Sequence, residues 1–216
     1  MKIALINENS QAAKNSMIES VLKEVVTPMG HEVVNYGMYA ADDEAQLTYV
    51  QVGLLTAILL NSGAADFVIT GCGTGEGAML ACNSFPGVLC GHVVDPSDAY
   101  MFSQINAGNA AAFPFAKGFG WGAEINLNNI FVKAFGSPKG MGYPDGRKEA
   151  QNRNADLLFD VKKKVAKPLL DALRALDPQM VKECMIPRFL DCFYAGCQDQ
   201  EIRAFVDEMA YSKGGN

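Results

Sequence analysis

Short apolar runs alternate with longer amphipathic runs over the first 135 or so residues of the chain. The short runs predict strands and the longer runs predict helices that cross between them. The predicted strands are Lys2–Ile6, Glu32–Tyr36, Asp66–Thr70, Val88–Val94 and Ala110–Phe113. The predicted helices are Ser10–Pro28, Leu47–Asn61, Gly77–Asn83, Ser97–Ile105 and Trp121–Phe135. This alternation indicates an α/β fold whose parallel sheet is covered by helices on both faces.

Five strands with crossover helices predict a Rossmann-like three-layer sandwich with a five-stranded parallel sheet, spanning residues 1–136. A break rich in glycine and proline, Ser137–Gly146, begins a linker and a C-terminal helical extension over residues 137–216. The predicted tail helices are Ala150–Leu176, Gln179–Cys184 and Asp199–Met209, and residues 214–216 are expected to fray. The tail is expected to pack on its own domain or on a neighbouring subunit.

Ligands in open parallel sheets bind beyond the carboxyl ends of the strands. Three groups of polar residues follow strands in this way: Asn7–Asn9, Cys72–Gly77 and Asp95. The sequence therefore predicts a ligand site that these residues share.

The loop after the third strand carries the strongest chemical signal. Residues 67–80 read F-V-I-T-G-C-G-T-G-E-G-A-M-L, so an apolar strand enters a glycine-rich loop and then a helix. Backbone amides and a helix N-terminus in such a loop favour anions, and the Cys72 thiol beside them should ionise more readily than a free thiol. Cys72 is therefore a candidate base or nucleophile, although a buried and inert cysteine fits the local pattern equally well.

Two nucleotide-binding motifs do not fit this loop. A dinucleotide fingerprint needs G-x-G-x-x-G near the first strand, and a phosphate loop ends in G-K-[ST]. Neither pattern is present at residues 71–77.

Composition narrows the class of protein. The chain of 216 residues is 49% hydrophobic and 19% charged, with a formal net charge of −6 and a pI of about 4.9. This acidic balance argues against nucleic acid as a partner. No apolar run reaches the length of a membrane span, and the start M-K-I-A-L-I-N-E-N does not read as a signal peptide. The expected location is cytoplasmic.

Cysteines and histidines bear on metals and cofactors. The six cysteines form no C-x-x-C pair and are expected to be reduced thiols. The two histidines, His31 and His92, are too few and too far apart for a histidine-based metal site. We therefore expect chemistry without a metal or other cofactor.

Several motifs together resemble the ribose-5-phosphate isomerase B / galactose-6-phosphate isomerase family. They are M-K-I-A-L at the start, C-G-T-G-E-G-A-M-L-A-C-N-S-F-P-G-V from Cys72 to Val88, Asp95-Pro96, and Q-I-N-A-G-N-A around Asn106. The resemblance implies a cofactor-free aldose–ketose isomerase, active as a dimer or tetramer with active sites at subunit interfaces. It also implies that Cys72 moves a proton through a cis-enediolate.

The resemblance assigns further residues around that intermediate. Thr74 and the amides of Gly73, Gly75 and Gly77 would hold its oxyanion, and preorganised donors of this kind stabilise developing negative charge. Asn106 would contact the substrate. Glu76 is either a second acid or base or simply a carboxylate favoured at a helix start.

The chain departs from the family pattern at three places. Glu8 and Asn9 stand where the family has an Asp-His pair. Glu8 is a candidate catalytic residue that could still bind sugar hydroxyls, whereas Asn9 is a candidate substrate ligand that lacks a cationic contact to phosphate. Ile105 stands where the family has its ring-opening histidine and cannot donate a proton. The family's phosphate-binding arginines are represented only by Arg147 and Arg153, with altered spacing, which are either substrate-carboxylate ligands or solvated charges.

A subgroup of the family accounts for these departures. I-N-E-N-S-Q-A, Q-L-T-Y-V-Q, S-Q-I-N-A-G-N and A-K-G-F-G-W-G-A-E are similar to a subgroup that contains 4-deoxy-L-threo-5-hexosulose-uronate ketol-isomerases. Their substrate is a linear keto-aldehyde acid, which needs no ring-opening histidine and carries a carboxylate in place of phosphate. Two alternatives stay open: a ribose or galactose phosphate isomerase, and a non-catalytic protein that binds sugar acids.

Three more residues are candidates for the site or its surroundings. Lys117 is a second candidate for binding an anion. Trp121, the only tryptophan, either lines the pocket or an interface or is simply packed, and packing is favoured. His92 lies within a predicted strand and is expected to be a core residue.

Overall fold

The computed structural model describes residues 1–211. Its strands form one five-stranded sheet in the order β2-β1-β3-β5-β4, and every neighbouring pair is parallel. The strands are β1 (Lys2–Leu5), β2 (Glu32–Asn35), β3 (Phe67–Cys72), β4 (Cys90–His92) and β5 (Ala110–Pro114). The predicted fold class is confirmed, with β3 ending two residues later than expected and β4 shorter at both ends.

The four helices predicted between the strands and the fifth predicted after β5 are all present. They are α1 (Asn15–Val26), α2 (Tyr49–Asn61), α3 (Glu76–Asn83), α4 (Pro96–Met101) and α5 (Ala123–Phe135). The predicted first helix is not uniform, because Asn9–Lys14 forms a 3₁₀ segment and Gln11 leaves helical geometry. A π-helical segment, Phe102–Asn106, extends α4.

Alternation along the strands divides the core into two layers. Ile3, Leu5 and Ile69 point to the face covered by α1, α4 and α5. Val68 and Cys72 point to the opposite face, under α2 and α3. On that face α3 approaches α2 closely, since a Cβ on Gly53 would lie 2.6 Å from the carbonyl carbon of Ala81.

Up to residue 211, the tail contains five α-helices: α6 (Lys148–Val165), α7 (Leu169–Arg174), α8 (Pro178–Glu183), α9 (Pro187–Gly196) and α10 (Gln200–Tyr211). The prediction of one helix from Ala150 to Leu176 is wrong. The backbone turns extended at Ala166 (ψ 149°) and Pro168 cannot continue a helix, so α6 and α7 are separate. Helix α9 was not predicted, and the expected fraying at residues 214–216 lies outside the described residues.

The tail helices differ in their packing. Leu173, Val181, Phe193 and Phe205 from α7–α10 are fully buried and join the core layer under α2. Helix α6 buries none of its side chains, and its exposed face includes Leu157, Leu158, Phe159, Val161 and Val165. So α7–α10 pack on their own domain, while α6 presents an apolar surface. The domain boundary at residue 136 stays a prediction.

Within residues 1–211, no helix combines the length and the apolar character that crossing a membrane requires. Over the same residues, His, Cys, Asp and Glu side chains form no group of three or more that could hold a metal ion.

Candidate active site

Strand β3 carries Cys72 to the carboxyl edge of the sheet. The loop Gly73–Gly75 follows, and α3 begins at Glu76. Gly75 takes a left-handed conformation (φ 79°), which glycine adopts without steric cost. The loop is held by β5, because the amides of Phe115 and Ala116 donate to the carbonyls of Cys72 and Gly73 at 2.9 and 3.0 Å. Hydrogen bonds to the chain at the end of β5 thus fix the start of the loop in place.

The Cys72 thiol is turned towards the loop amides. Its Sγ accepts a hydrogen bond from the amide of Gly75 at 3.1 Å, and the residue is 7% exposed. The first turn of α3 adds the amides of Glu76 and Gly77, which have no carbonyl partner four residues earlier within the helix. Thr74 is exposed at the tip of the loop. The predicted grouping of Cys72, Gly73, Thr74, Gly75 and Gly77 is therefore present in one chain.

His92 lies against this loop and not in the core interior. It is the last residue of β4 and is half-buried, and its Nε2 is 2.9 Å from the carbonyl oxygen of Thr74. The sequence prediction of a core histidine is wrong, because β4 ends at His92 and not at Val94. The strand end brings the ring to the carboxyl edge.

Glu8 enters the site from the end of β1. It is 5% exposed, and its carboxylate accepts hydrogen bonds from the Ser10 amide at 3.0 Å and from the Ser10 hydroxyl. Its own amide donates to the carbonyl of Gly71, one residue before Cys72. Asn9 is exposed, and its amide donates to Leu47 at 2.8 Å. Glu8 therefore sits beside β3 in a fixed orientation.

Four residues near the loop were missed by sequence reasoning. Ser10 Oγ and Gln11 Nε2 lie 3.9 and 4.0 Å from the position of a Cβ on Gly73. Lys14 binds the Gln11 side chain and the Phe115 carbonyl, and the Tyr49 ring lies 3.4 Å from the position of a Cβ on Gly77. Their positions in the sequence could have indicated them, because Ser10, Gln11 and Lys14 follow β1 and Tyr49 begins α2, and both places lie at the carboxyl edge of the sheet.

Charges at the loop are exposed. Lys117 Nζ lies 3.9 Å from Glu76 Oε1, with both side chains more than half exposed. Asp95 caps α4, accepting hydrogen bonds from the Ser97 hydroxyl and amide and from the Asp98 amide, and these bonds lower the pKa of Asp95.

Trp121 is fully exposed, so the expectation that it packs is wrong.

Three predicted site residues do not reach Cys72 within the chain. Asn106 precedes the amino end of β5, whereas Cys72 pairs with Pro114 at the carboxyl end of that strand. Arg147 and Arg153 are exposed at the start of α6, which packs against the π-helical segment containing Asn106. The three residues therefore lie towards the opposite edge of the sheet.

A sequence model described as ribose/galactose isomerase matches residues 3–148, which is more than half of the chain. The chain belongs to the ribose/galactose isomerase family. A second model, described as ribose-5-phosphate isomerase, matches residues 165–209. The family prediction is confirmed, and the alternative of a non-catalytic protein that binds sugar acids is set aside.

Solved structures of similar proteins agree with this family of isomerases. A 4-deoxy-L-threo-5-hexosulose-uronate ketol-isomerase, solved with a tartrate, is 57% identical with a TM-score of 0.94, covering 97% of this chain and 99% of its own. A ribose-5-phosphate isomerase from Vibrio parahaemolyticus is 50% identical with a TM-score of 0.93, covering the same shares. The type B ribose 5-phosphate isomerase of Trypanosoma cruzi (18%, TM-score 0.63, covering 76% and 99%) shares the fold.

This ribose/galactose isomerase is thus an aldose–ketose isomerase with a Rossmann-like fold. The two similar structures at 50% identity or more match over the tail as well as the sheet, so α6–α10 belong to the shared fold.

Proposed function

We propose that this isomerase interconverts an aldose and a ketose by enediol proton transfer, with Cys72 as the base and a linear keto-uronate as substrate. The observation that carries the proposal is the hydrogen bond from the Gly75 amide to Cys72 Sγ. This hydrogen bond shows that the Cys72 thiol lies beside an amide that can stabilise its thiolate and beside the first turn of α3.

The proposed reaction moves one carbon-bound proton and one hydroxyl proton, and it changes no net oxidation state. The Cys72 thiolate takes a proton from the carbon next to the substrate carbonyl, and the electron pair of that C–H bond forms the enediolate. Thr74 and the amides of Gly73 and Gly77 would stabilise the enediolate oxygen. The Cys72 thiol then returns the proton to the former carbonyl carbon, and the proton of the neighbouring substrate hydroxyl passes to the former carbonyl oxygen, which completes the exchange of aldehyde and ketone.

Two observations favour a linear acid over a cyclic sugar phosphate. Ile105 lies in the π-helical segment and has no group that could open a sugar ring. The protein of 57% identity is named a 4-deoxy-L-threo-5-hexosulose-uronate ketol-isomerase, whereas the protein of 50% identity is named a ribose-5-phosphate isomerase. The second name keeps a ribose or galactose phosphate as the alternative substrate.

We also propose a homodimer or homotetramer in which Asn106, Arg147 and Arg153 of one copy complete the site of another. Two features support it: these residues lie away from Cys72 in their own chain, and α6 exposes an apolar face that includes Leu157. Either arginine could bind a substrate carboxylate through two parallel hydrogen bonds. The cytoplasmic location and the lack of nucleic-acid partners stay predictions.

The test is incubation with the linear keto-uronate in D₂O, followed by proton NMR, with ribose 5-phosphate in a parallel sample. Conversion of the keto-uronate with deuterium entering at C1 or C2 is expected. Turnover of ribose 5-phosphate alone would establish the alternative substrate. Conversion without any deuterium would point to a shielded proton or a hydride shift and would argue against exchange at a thiol.

A further inference from the structure

One peptide unit of the loop, between Thr74 and Gly75, is hydrogen-bonded on both sides. Its carbonyl oxygen is 2.9 Å from Nε2 of His92, and its amide donates to Sγ of Cys72 at 3.1 Å. A carbonyl oxygen only accepts hydrogen bonds, so His92 Nε2 must carry the proton. The order of donation therefore runs from the imidazole, through one peptide group, to the thiol.

The sheet creates this arrangement. Ala112 of β5 pairs with His92 on one side and with Thr70 of β3 on the other. The loop after β3 therefore meets the ring at the end of β4, one strand beyond β5. Gly75 completes the fit, since a Cβ there would lie 2.7 Å from His92 Nε2 and 2.8 Å from the carbonyl carbon of Phe113.

We propose that His92 is a positioning residue for Cys72. By donating to the Thr74 carbonyl, the ring orients the peptide and polarises its N–H bond, which strengthens the hydrogen bond to the thiolate. Successive hydrogen bonds polarise one another in this way, and the effect is larger away from bulk water. His92 itself touches neither substrate nor the transferred proton. The inference rests on the proposed role of Cys72 as the base.

Two substitutions of His92 separate this role from simple packing. His92→Gln keeps an N–H donor near the position of Nε2, whereas His92→Leu fills similar space with no donor. Both substitutions leave the neighbouring Glu76–Lys117 pair in place.

The first readout needs no substrate. The ultraviolet absorbance of the Cys72 thiolate is measured at one mildly alkaline pH, with each variant compared with the same protein carrying Cys72→Ser, which subtracts the other five cysteines. His92→Leu should lower the ionised fraction about threefold or more, and His92→Gln should stay near wild type. An unchanged ionised fraction in His92→Leu would overturn the proposal.

The second readout uses the wild-type chain and so stands even if His92→Leu does not fold. The chain has two histidines, and His31 lies by the N-terminus and Phe135, so ¹⁵N NMR of the two rings is assigned with His31→Gln. His92 should be the tautomer protonated at Nε2. A ring protonated only at Nδ1 could not donate to Thr74 and would contradict the proposal.

Kinetics link the arrangement to turnover. With the keto-uronate, His92→Leu should reduce kcat about tenfold while KM changes less than about twofold, and His92→Gln should recover most of the loss. Equal losses in both variants would reject the donor role. If wild type converts no sugar, the proposed function fails, while the thiolate and tautomer measurements still decide the role of His92.

Discussion

The backbone amide of Gly75 points at the sulfur of Cys72, 3.1 Å away. The left-handed backbone of Gly75 (φ 79°) turns the amide inwards just before α3 begins. A side chain at position 75 would also meet His92 and the Phe113 backbone. The geometry of the thiol therefore depends on one glycine, and four predictions follow from the site around it.

Cys72→Ser should lower kcat at least about a hundredfold, because a serine hydroxyl is a much weaker base than a thiolate at neutral pH. The thermal unfolding midpoint should change little, since the two side chains are similar in size. The control is Cys192→Ser, a half-buried tail cysteine that should keep wild-type turnover. Near-wild-type activity in Cys72→Ser would discard the mechanism.

Gly75→Ala should cost roughly 1–3 kcal/mol of unfolding free energy and most of the activity, since alanine is strained at positive φ and its Cβ has no room. Denaturant unfolding and steady-state kinetics measure the two effects. Gly120→Ala is the matched control, because a Cβ at Gly120 has nothing within 4 Å and its φ is not positive. A stable and active Gly75→Ala would show that the observed loop geometry is not required.

Glu8→Gln should reduce kcat/KM about tenfold or more if the carboxylate binds substrate hydroxyls, because hydrogen bonds to a charged acceptor are the stronger ones. Glutamine can still accept from the Ser10 amide, so the local structure should persist. Asp199→Asn is the control, since that carboxylate caps α10 far from the loop. If Glu8→Gln and Asp199→Asn were both as active as wild type, Glu8 would serve only to cap the Asn9–Lys14 segment.

Mixing inactive Cys72→Ser and Asn106→Ala proteins should restore activity if each site takes Cys72 from one copy and Asn106 from another. A random mixture of dimers should reach about a quarter of wild-type activity, because half of the dimers are mixed and each holds one intact site. Refolding the two chains together and assaying turnover measures this. The double variant Cys72→Ser/Asn106→Ala, refolded alone, should stay inactive. No recovery in the mixture of the two single variants would show that Cys72 and Asn106 of the same chain serve one site.

Local sequence determined most of the sheet and the five helices that pack on it, because short apolar runs and helical patterns report burial directly. It failed where a single proline or a short element decided the outcome. Pro168 divides the predicted long tail helix, and α9, which starts at Pro187, was missed. The 3₁₀ geometry of Asn9–Lys14 also has no signature in the hydrophobic pattern.

The sequence by itself determined the parallel sheet, the isomerase family and the loop that carries Cys72, because each depends on residues close together in the chain. Only the tertiary structure decided which distant residues join that loop. The register of β4 on β5 brings His92 to Thr74, 18 residues away, and the end of β1 brings Glu8 beside Gly71. Asn106 lies towards the other edge, because the π-helical segment ends before β5 begins. Long-range pairing sets these positions, and no local pattern encodes it.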